Sequence, residues 1–333
     1  MNVLVNIISL PTKIKNLFIG EQSAVYLDNV IESKKVEGAP FVKWVGGKSR
    51  VVGTILKIVS KHINLNEIEH YIEPFVGGGA MFFYLANHYR FKSYTIIDIN
   101  LDLINTYRAI KQNPITLVKE MDKIQNKYNN FFNLEDKELF YYEIRDKYNK
   151  YDKEKLYEYI DFTRAAQFIF LNKSGFNGLY RVNKTGDYNV PFGKKEVIKI
   201  YNDKNILKVY EILQKTNIVH GDYRVSLDYL LKNTFVYFDP PYRPITNTSS
   251  FTAYDNNGFN DNDQIALAQF CIQLYIQGIH FALSNSDPHN TNPLDNFFDE
   301  LYRDFIIYRI NTSRQIAAES KSRGRVTEIL VIG

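Results

Sequence analysis

Residues 70–98 read HYIEPFVGGGAMFFYLANHYRFKSYTIID, and this stretch decides the fold. His70–Phe75 reads as a short strand and Gly77-Gly78-Gly79 as a turn. Met81–Ala86 has the composition of a helix. Ser93–Ile97 is a second strand, rich in β-branched residues and Tyr, and it ends at Asp98. Strand, glycine turn, helix, strand, acid is the grammar of a nucleotide-binding α/β unit. Working outward, Val51–Ile63 and Leu101–Lys111 carry apolar residues at helical spacing. The pattern returns after Ile206, with strands at Asn217–His220, Thr234–Phe238 and His280–Ser284 and a helix at Ile265–Gln277. Phe305–Ile310 and Thr327–Ile332 suit an antiparallel edge.

The chain has 333 residues, which at roughly 150 per domain means two domains or one large one with an insertion. The insertion is legible. In residues 112–205 the first half, Lys119–Lys155, is helical and charged, and Leu171–Gly193 is rich in Asn, Gly and Lys. Residues 40–111 and 206–333 therefore form one α/β domain around an inserted module at 112–205. Residues 1–39, with charged Glu32–Gly38 closed by Pro40, read as an N-terminal extension. Apolar residues make up 45% and charged residues 23%, which excludes disorder, collagen and a disulfide scaffold. A net charge of +4 permits a polyanionic partner without demanding one. Cys271 is the single cysteine, so an internal disulfide and a multi-cysteine metal site are excluded, no metal is expected, and a reducing cytoplasm fits. No apolar run approaches the ~18 residues of a membrane span. Met1–Leu10 is interrupted by Asn2 and Asn6 and lacks a basic start, so no signal peptide is expected.

Four stretches carry chemistry. Asp239-Pro240-Pro241-Tyr242 follows the apolar strand Phe235–Phe238, where ligands of open α/β sheets bind. Two prolines stiffen the turn and remove two N–H donors. A carboxylate, a rigid carbonyl and an aromatic ring together suit a planar group bearing an exocyclic amine; a proline-rich turn with a capping Asp is the bland alternative. Glu73-Pro74-Phe75-Val76-Gly77-Gly78-Gly79 lets a ligand approach the backbone, and Asp98 stands where an acid accepts ribose hydroxyls. A plain glycine turn and a capping Asp stay open here. Phe41–Lys48 holds the only Trp, Trp44, between Lys43 and Lys48, and a core Trp is its simpler reading. Leu171–Lys195 interleaves basic residues, aromatics and Asn, types that read or stack on bases but that also make a solvated loop face.

In this order the stretches resemble the D12 class of DNA adenine-N6 methyltransferases, the Dam/DpnM-like α-group. The resemblance covers about residues 40–333 and rests on FVKWVGGK (41–48), EPFVGGGAMFF (73–83), NGLYRVN (177–183) with NVPFG (189–193), and DPPY (239–242) with FTAYDNNGF (251–259). LSNSD (283–287) and SRGRVTEILV (322–331) complete it. It implies a Rossmann-like S-adenosylmethionine-dependent sheet with helices on both faces and an inserted, mainly helical target-recognition module. Trp44, Lys48, Glu73, Phe75, Gly77, Asp98, Asp222 and Tyr223 carry over as surroundings of the donor, Asp98 on its ribose and Glu73 with Lys48 on its methionine end. Asp239 would touch both donor and target. Asp239 and the Pro240 carbonyl would hold the N6 amine of a flipped-out adenine, beside Pro241, and Tyr242 would stack on the base.

Arg181 matches the guanine-reading position of the usual duplex target, GATC; Phe176, Asn177, Leu179 and Pro191 match neighbouring contacts, and Lys43 and Lys194 further DNA contacts. The charged run Arg314, Lys321, Arg323 and Arg325 reads either as a further phosphate contact or, more commonly for such charges, as a solvated surface run. The implied partner is double-stranded DNA, with no membrane. A monomer is expected, working beside a cognate restriction endonuclease. Rival readings are the same chemistry on RNA adenine or a protein amide, and a silent DNA-binding relative. Cytosine-C5 chemistry needs a thiolate, and Cys271 lies in an apolar helix.

Overall fold

The computed structural model describes residues 37–244, 259–313 and 325–333. Most of the expected extension, residues 251–258 of FTAYDNNGF, and Arg314, Lys321 and Arg323 lie outside the described residues. Seven strands form one sheet: β1 (His70–Pro74), β2 (Ser93–Asp98), β3 (Thr216–His220), β4 (Thr234–Phe238), β5 (His280–Ser286), β6 (Ile306–Ser313) and β7 (Arg325–Ile332). Their order is β3-β2-β1-β4-β5-β7-β6. β1 to β5 pair in parallel, and β7 runs against both β5 and β6. The antiparallel pair expected at the edge is present, with β6 outermost and β7 inserted beside β5.

The sheet turns at the gap between β1 and β4. Chain order runs outward from β1 to β3 on one side and from β4 on the other, so loops at these strand ends diverge and leave a crevice. Strand alternation divides the core. Tyr71, Ile96, Phe235, Tyr237 and Leu330 pack on one face, whereas Ile72, Ile97, Val236, Phe238 and Ile329 pack on the other.

The first face is covered by α1 (Val52–Val59), α2 (Ala80–His88), α3 (Leu101–Gln112) and α7 (Asp203–Leu213). The second is covered by α8 (Asp261–Ile276), α9 (Phe297–Leu301) and a 3-10 turn, Tyr223–Tyr229. Helices on both faces of a mostly parallel sheet are the α/β architecture read from the sequence. Asn and Asp side chains start most of the longer helices. Asn260 and Asp263 form a reciprocal capping box on α8, whose side chains satisfy backbone N–H groups that the first turn leaves open.

The charged half of the insertion is two helices, α4 (Pro114–Asn130) and α5 (Leu134–Asn149), followed by α6 (Phe162–Ser174). Asn113 caps α4 ahead of Pro114, and Asn133 caps α5. The break at 131–133 follows from that second cap. The insertion does not keep a core of its own: Leu117, Met121, Tyr141, Phe168 and Phe192 belong to the same apolar cluster as the first sheet face. Arg164 on α6 and Asp102 on α3, both buried, are joined by a bidentate ion pair of 2.5 and 3.1 Å.

Candidate active site

Two buried carboxylates, Glu73 and Asp98, and a half-buried one, Asp239, gather at neighbouring strand ends. Glu73 ends β1, Asp98 ends β2 and Asp239 follows β4. Tyr71 donates its hydroxyl to Glu73 Oε2 at 2.7 Å. Asp98 accepts the Gly77 N–H at Oδ2 and the Asn100 N–H at Oδ1, both at 2.9 Å. Burial pushes the Asp98 carboxyl up to about 6, against the pull of those N–H groups. Burial also raises Asp239 to about 6, and the Lys48 ammonium opposes it. Glu73 is raised well above the ordinary range, by burial first and then by the neighbouring Asp239 and Asp98 charges.

The turn between β1 and α2 is tightly wound. Phe75, Gly77 and Gly79 all have positive φ, and Phe75 is the one that bears a side chain. Such strain clusters at ligand sites. A methyl group on Gly77 would stand 2.6 Å from the Trp44 indole, so only glycine fits between the turn and that ring. Phe75 stacks on Tyr223 with ring centres 5.7 Å apart. Asp222 starts the 3-10 turn, accepting the Arg224 N–H at 2.9 Å and pairing with its guanidinium at 2.8 Å.

The acceptor side is built differently. Lys48 lies 2.9 Å from Asp239 Oδ1 rather than on Glu73. Its ammonium is 3.9 Å from Glu328 Oε2 on β7 and 4.6 Å from the centre of the Tyr242 ring. The Tyr242 hydroxyl donates to the same Glu328 oxygen at 2.8 Å. The DPPY turn is fastened from behind. Gln264 donates to the Pro241 carbonyl at 3.1 Å, Asn285 donates to Gln264 at 3.0 Å, and the Arg243 N–H donates to Asn285 at 3.2 Å. LSNSD is thus a brace for the acceptor turn.

The loop after α6 forms an exposed face. Phe176, Asn177, Arg181, Pro191 and Lys194 are exposed, and Leu179 is half-buried. Arg181 is oriented by Asn189, with Nε donating to its side-chain oxygen at 2.7 Å. Asn172, buried at the end of α6, bonds both the N–H and the carbonyl of Lys43, at 2.8 and 2.9 Å, and the carbonyl of Gly178 at 3.1 Å. Tyr180 stacks on Trp44 at 5.5 Å. This loop is therefore locked to the motif that carries Lys43 and Lys48. Lys195 donates to the Lys173 carbonyl, and burial followed by the charges of Lys43 and Lys195 lowers the Lys173 ammonium. Among the described residues none of these three lysines is in an ion pair. Their mutual repulsion suits a polyanion laid across them.

The sequence reading passed over Glu328, Tyr71, Asn172, Gln264 and Asn189. A polar residue inside an apolar run was the available signal for Glu328, in Val326–Ile332, and for Asn172 after Phe168–Leu171. Cys271 is buried and its thiol pushed up, which removes the thiolate a nucleophile needs. Among the described residues no helix is long and apolar enough to cross a membrane.

The chain is 40% identical over 298 residues to Type II methyltransferase M.MjaIII of Methanocaldococcus jannaschii, covering 89% of this chain and 99% of that one. It is 36% identical over 307 residues to Type II methyltransferase M1.LlaDCHI of Lactococcus lactis subsp. cremoris, covering 91% and 98%. It is 32% identical to a DNA adenine methylase of Vibrio cholerae, covering 88% and 95%. The family model for D12 class N6 adenine-specific DNA methyltransferases matches residues 44–316. The chain belongs to the D12 class of N6 adenine-specific DNA methyltransferases.

Proposed function

We propose that this enzyme transfers a methyl group from S-adenosylmethionine to N6 of an adenine flipped out of double-stranded DNA, within GATC. We read it as the protective, monomeric methylase of a cytoplasmic restriction-modification pair. The observation that carries the reading is the placement of Asp239. It follows β4, half-buried, on a turn braced by Gln264 and Asn285, and lies close enough to Glu73 across the gap between β4 and β1 for its charge to raise that carboxyl.

The residues fit a cationic donor. Glu73 and Asp98, both buried, and Asp239, half-buried, place three carboxyls against one buried ammonium, Lys48. A sulfonium and an amino group would relieve that excess of negative charge. When bound, S-adenosylmethionine supplies an electrophilic methyl carbon. Asp98 would hold the ribose hydroxyls, the Phe75 and Tyr223 rings with Asp222 would border the adenine, and Glu73 and Trp44 would border the amino-acid end.

On the acceptor side Asp239 and the Pro240 carbonyl accept the two N6 hydrogens and aim the nitrogen lone pair across the gap. Tyr242 offers its ring to the base. Extruding the base costs about a few kcal/mol of unstacking. The exposed loop with Phe176, Asn177, Leu179, Arg181 and Pro191 meets the base edges, and Lys43 and Lys194 meet phosphate. The Type II names of two relatives support a restriction partner, and the DNA adenine methylase name supports the target base.

The test is methyl transfer from labelled donor to short duplexes carrying GATC, GTTC or a scrambled site, with a single-stranded RNA control. Label on the GATC duplex alone, recovered as N6-methyladenine, is expected. Label on another DNA discards the site, and label on RNA alone discards the substrate.

A further inference from the structure

The buried lysine of the acceptor site stands between two carboxylates. Lys48 is 4% exposed, 2.9 Å from Asp239 and 3.9 Å from Glu328. Asp239 is the group that the N6 amine needs under the reading above, on which this inference rests. An ammonium at 2.9 Å from Oδ1 competes with the amine for that oxygen, so an amine seated on Oδ1 requires it to let go. A buried ammonium that lets go of one carboxylate is costly unless a second partner is at hand. The Gly46 carbonyl accepts from the ammonium at 2.8 Å, and Glu328 is the second acid within reach. It sits on β7, the strand that runs against its neighbours, and it already holds the Tyr242 hydroxyl at 2.8 Å. The Lys48 ammonium also lies 4.6 Å over the Tyr242 ring, so the ring flanks the short path between the two acids.

We propose that Glu328 is a positioning residue that receives Lys48 when the target amine takes its place on Asp239, and that it holds the Tyr242 ring in register for the base during the exchange. The exchange moves no proton and breaks no covalent bond. It keeps the lysine paired in both states, one before and one after the base enters.

The groups that face Asp239 are Lys48 before α1, Glu328 on β7, Glu73 on β1, and Tyr237 and Tyr242 on its own strand and turn. The charge of Glu328 raises the Asp239 carboxyl. Removing that charge lowers it, and the acid limb of kcat/KM moves to lower pH. A merely structural role for Glu328 would leave that limb in place.

The experiment compares wild type, Glu328→Gln, Glu328→Ala, Lys48→Met and the Lys48→Met/Glu328→Gln double variant. The wild type is first shown to methylate a GATC duplex; failure there removes the functional reading itself. Binding is then measured, with S-adenosylhomocysteine present, to a duplex with adenine at the target and to one with purine, which lacks the 6-amino group. Preference for adenine reads the N6–Asp239 contact directly.

In Glu328→Gln the amide still accepts from Tyr242 but no longer attracts Lys48. The adenine preference should shrink several-fold and the acid limb should fall. Restoring the preference in the Lys48→Met background, where Glu328→Gln then has no further effect, supports the exchange. Wild-type preference and an unmoved acid limb in Glu328→Gln overturn it, as does an equal effect of Glu328→Gln with and without Lys48. Should Glu328→Ala fail to fold, the Gln variant carries the test alone.

Discussion

Asp98 and Asp239 sit at the ends of strands on either side of β1, and both carboxyls are pushed up to about 6 by burial. They differ in what opposes that burial. Asp98 is held by the backbone N–H groups of Gly77 and Asn100, which move only if the turn unwinds. Asp239 is held by Lys48, a side chain on a flexible stem that has a second acid within 3.9 Å. The first arrangement is a fixed cradle and the second is a contested seat. The difference fits the two ligands. Under the proposed function a small donor would bind the preformed cradle, whereas a base flipped from duplex DNA would compete with Lys48 for Asp239 Oδ1.

The sharpest way to break this contrast is on the contested side. Asp239→Ala removes the acceptor and should abolish methyl transfer while circular dichroism and the melting curve stay near wild type, since Lys48 keeps Glu328. Retained turnover in the folded variant would sink the assignment. On the fixed side the expected loss is of stability instead. Asp102, in the first turn of α3 just beyond Asp98, is neutralised by Arg164 of the insertion, and the Arg164 Nη1 also donates to the Tyr148 carbonyl at 2.7 Å. Arg164→Met leaves the buried Asp102 carboxylate with only Lys153, at 3.9 Å, and should cost up to about 3–5 kcal/mol in denaturant unfolding. Adding Asp102→Asn should recover part of it. A loss below about 1 kcal/mol would show that the pair is solvated and that the insertion is not the anchor of the cradle.

A smaller effect is expected where neither side is altered. Arg181 is exposed and merely oriented by Asn189, so its removal should leave stability unchanged. Arg181→Ala should relax discrimination at one base pair of the target by about 1–3 kcal/mol, read as the ratio of kcat/KM for cognate and singly substituted duplexes. An unchanged preference would remove Arg181 from base reading.

The two sides were also unequally legible. The strands of the fixed side announce themselves by alternation and β-branched residues, and their observed limits fall within a residue or two of the pattern. Asp98 was found because its place follows from strand geometry. The contested side draws on residues far apart in sequence: Lys48, Asp239, Tyr242 and Glu328 meet only because β7 enters the sheet beside β5. No local period encodes that meeting, so Glu328 read as one polar residue in an apolar strand. The partner of Lys48 was likewise hidden: the resemblance put it with Glu73 at the donor's methionine end, and the structure sets it 2.9 Å from Asp239. Asn172 illustrates the opposite error of type: a residue that can read adenine is instead a buried tie between two backbones. Composition set 112–205 apart but could not show that its apolar residues join the core of the first sheet face, because apolar residues at helical spacing do not say which core they join.

The finest test of the contrast is pH. Under the proposed function an ionised Asp239 accepts the N6 hydrogens, and burial favours its neutral form. Its pKa is therefore raised to about 6, and the acceptor is in its working form only above that value. The quantity kcat/KM reports the free enzyme, so it should be flat above about pH 7 and fall about tenfold per unit below about 6. An unperturbed Asp would place the fall near about 3.9, two units lower. Donor affinity measured alone isolates the fixed side, where Asp98 should also weaken binding as pH drops through about 6. Asp239→Asn separates the two, because it removes the contested titration and leaves that of Asp98. If donor affinity in this variant stays constant down to pH 5, the N–H groups of Gly77 and Asn100 outweigh burial, and the cradle is ionised throughout. If it weakens near 6 as in wild type, burial governs both acids. The contrast then lies wholly in what holds them, one by backbone and the other by a lysine that can leave.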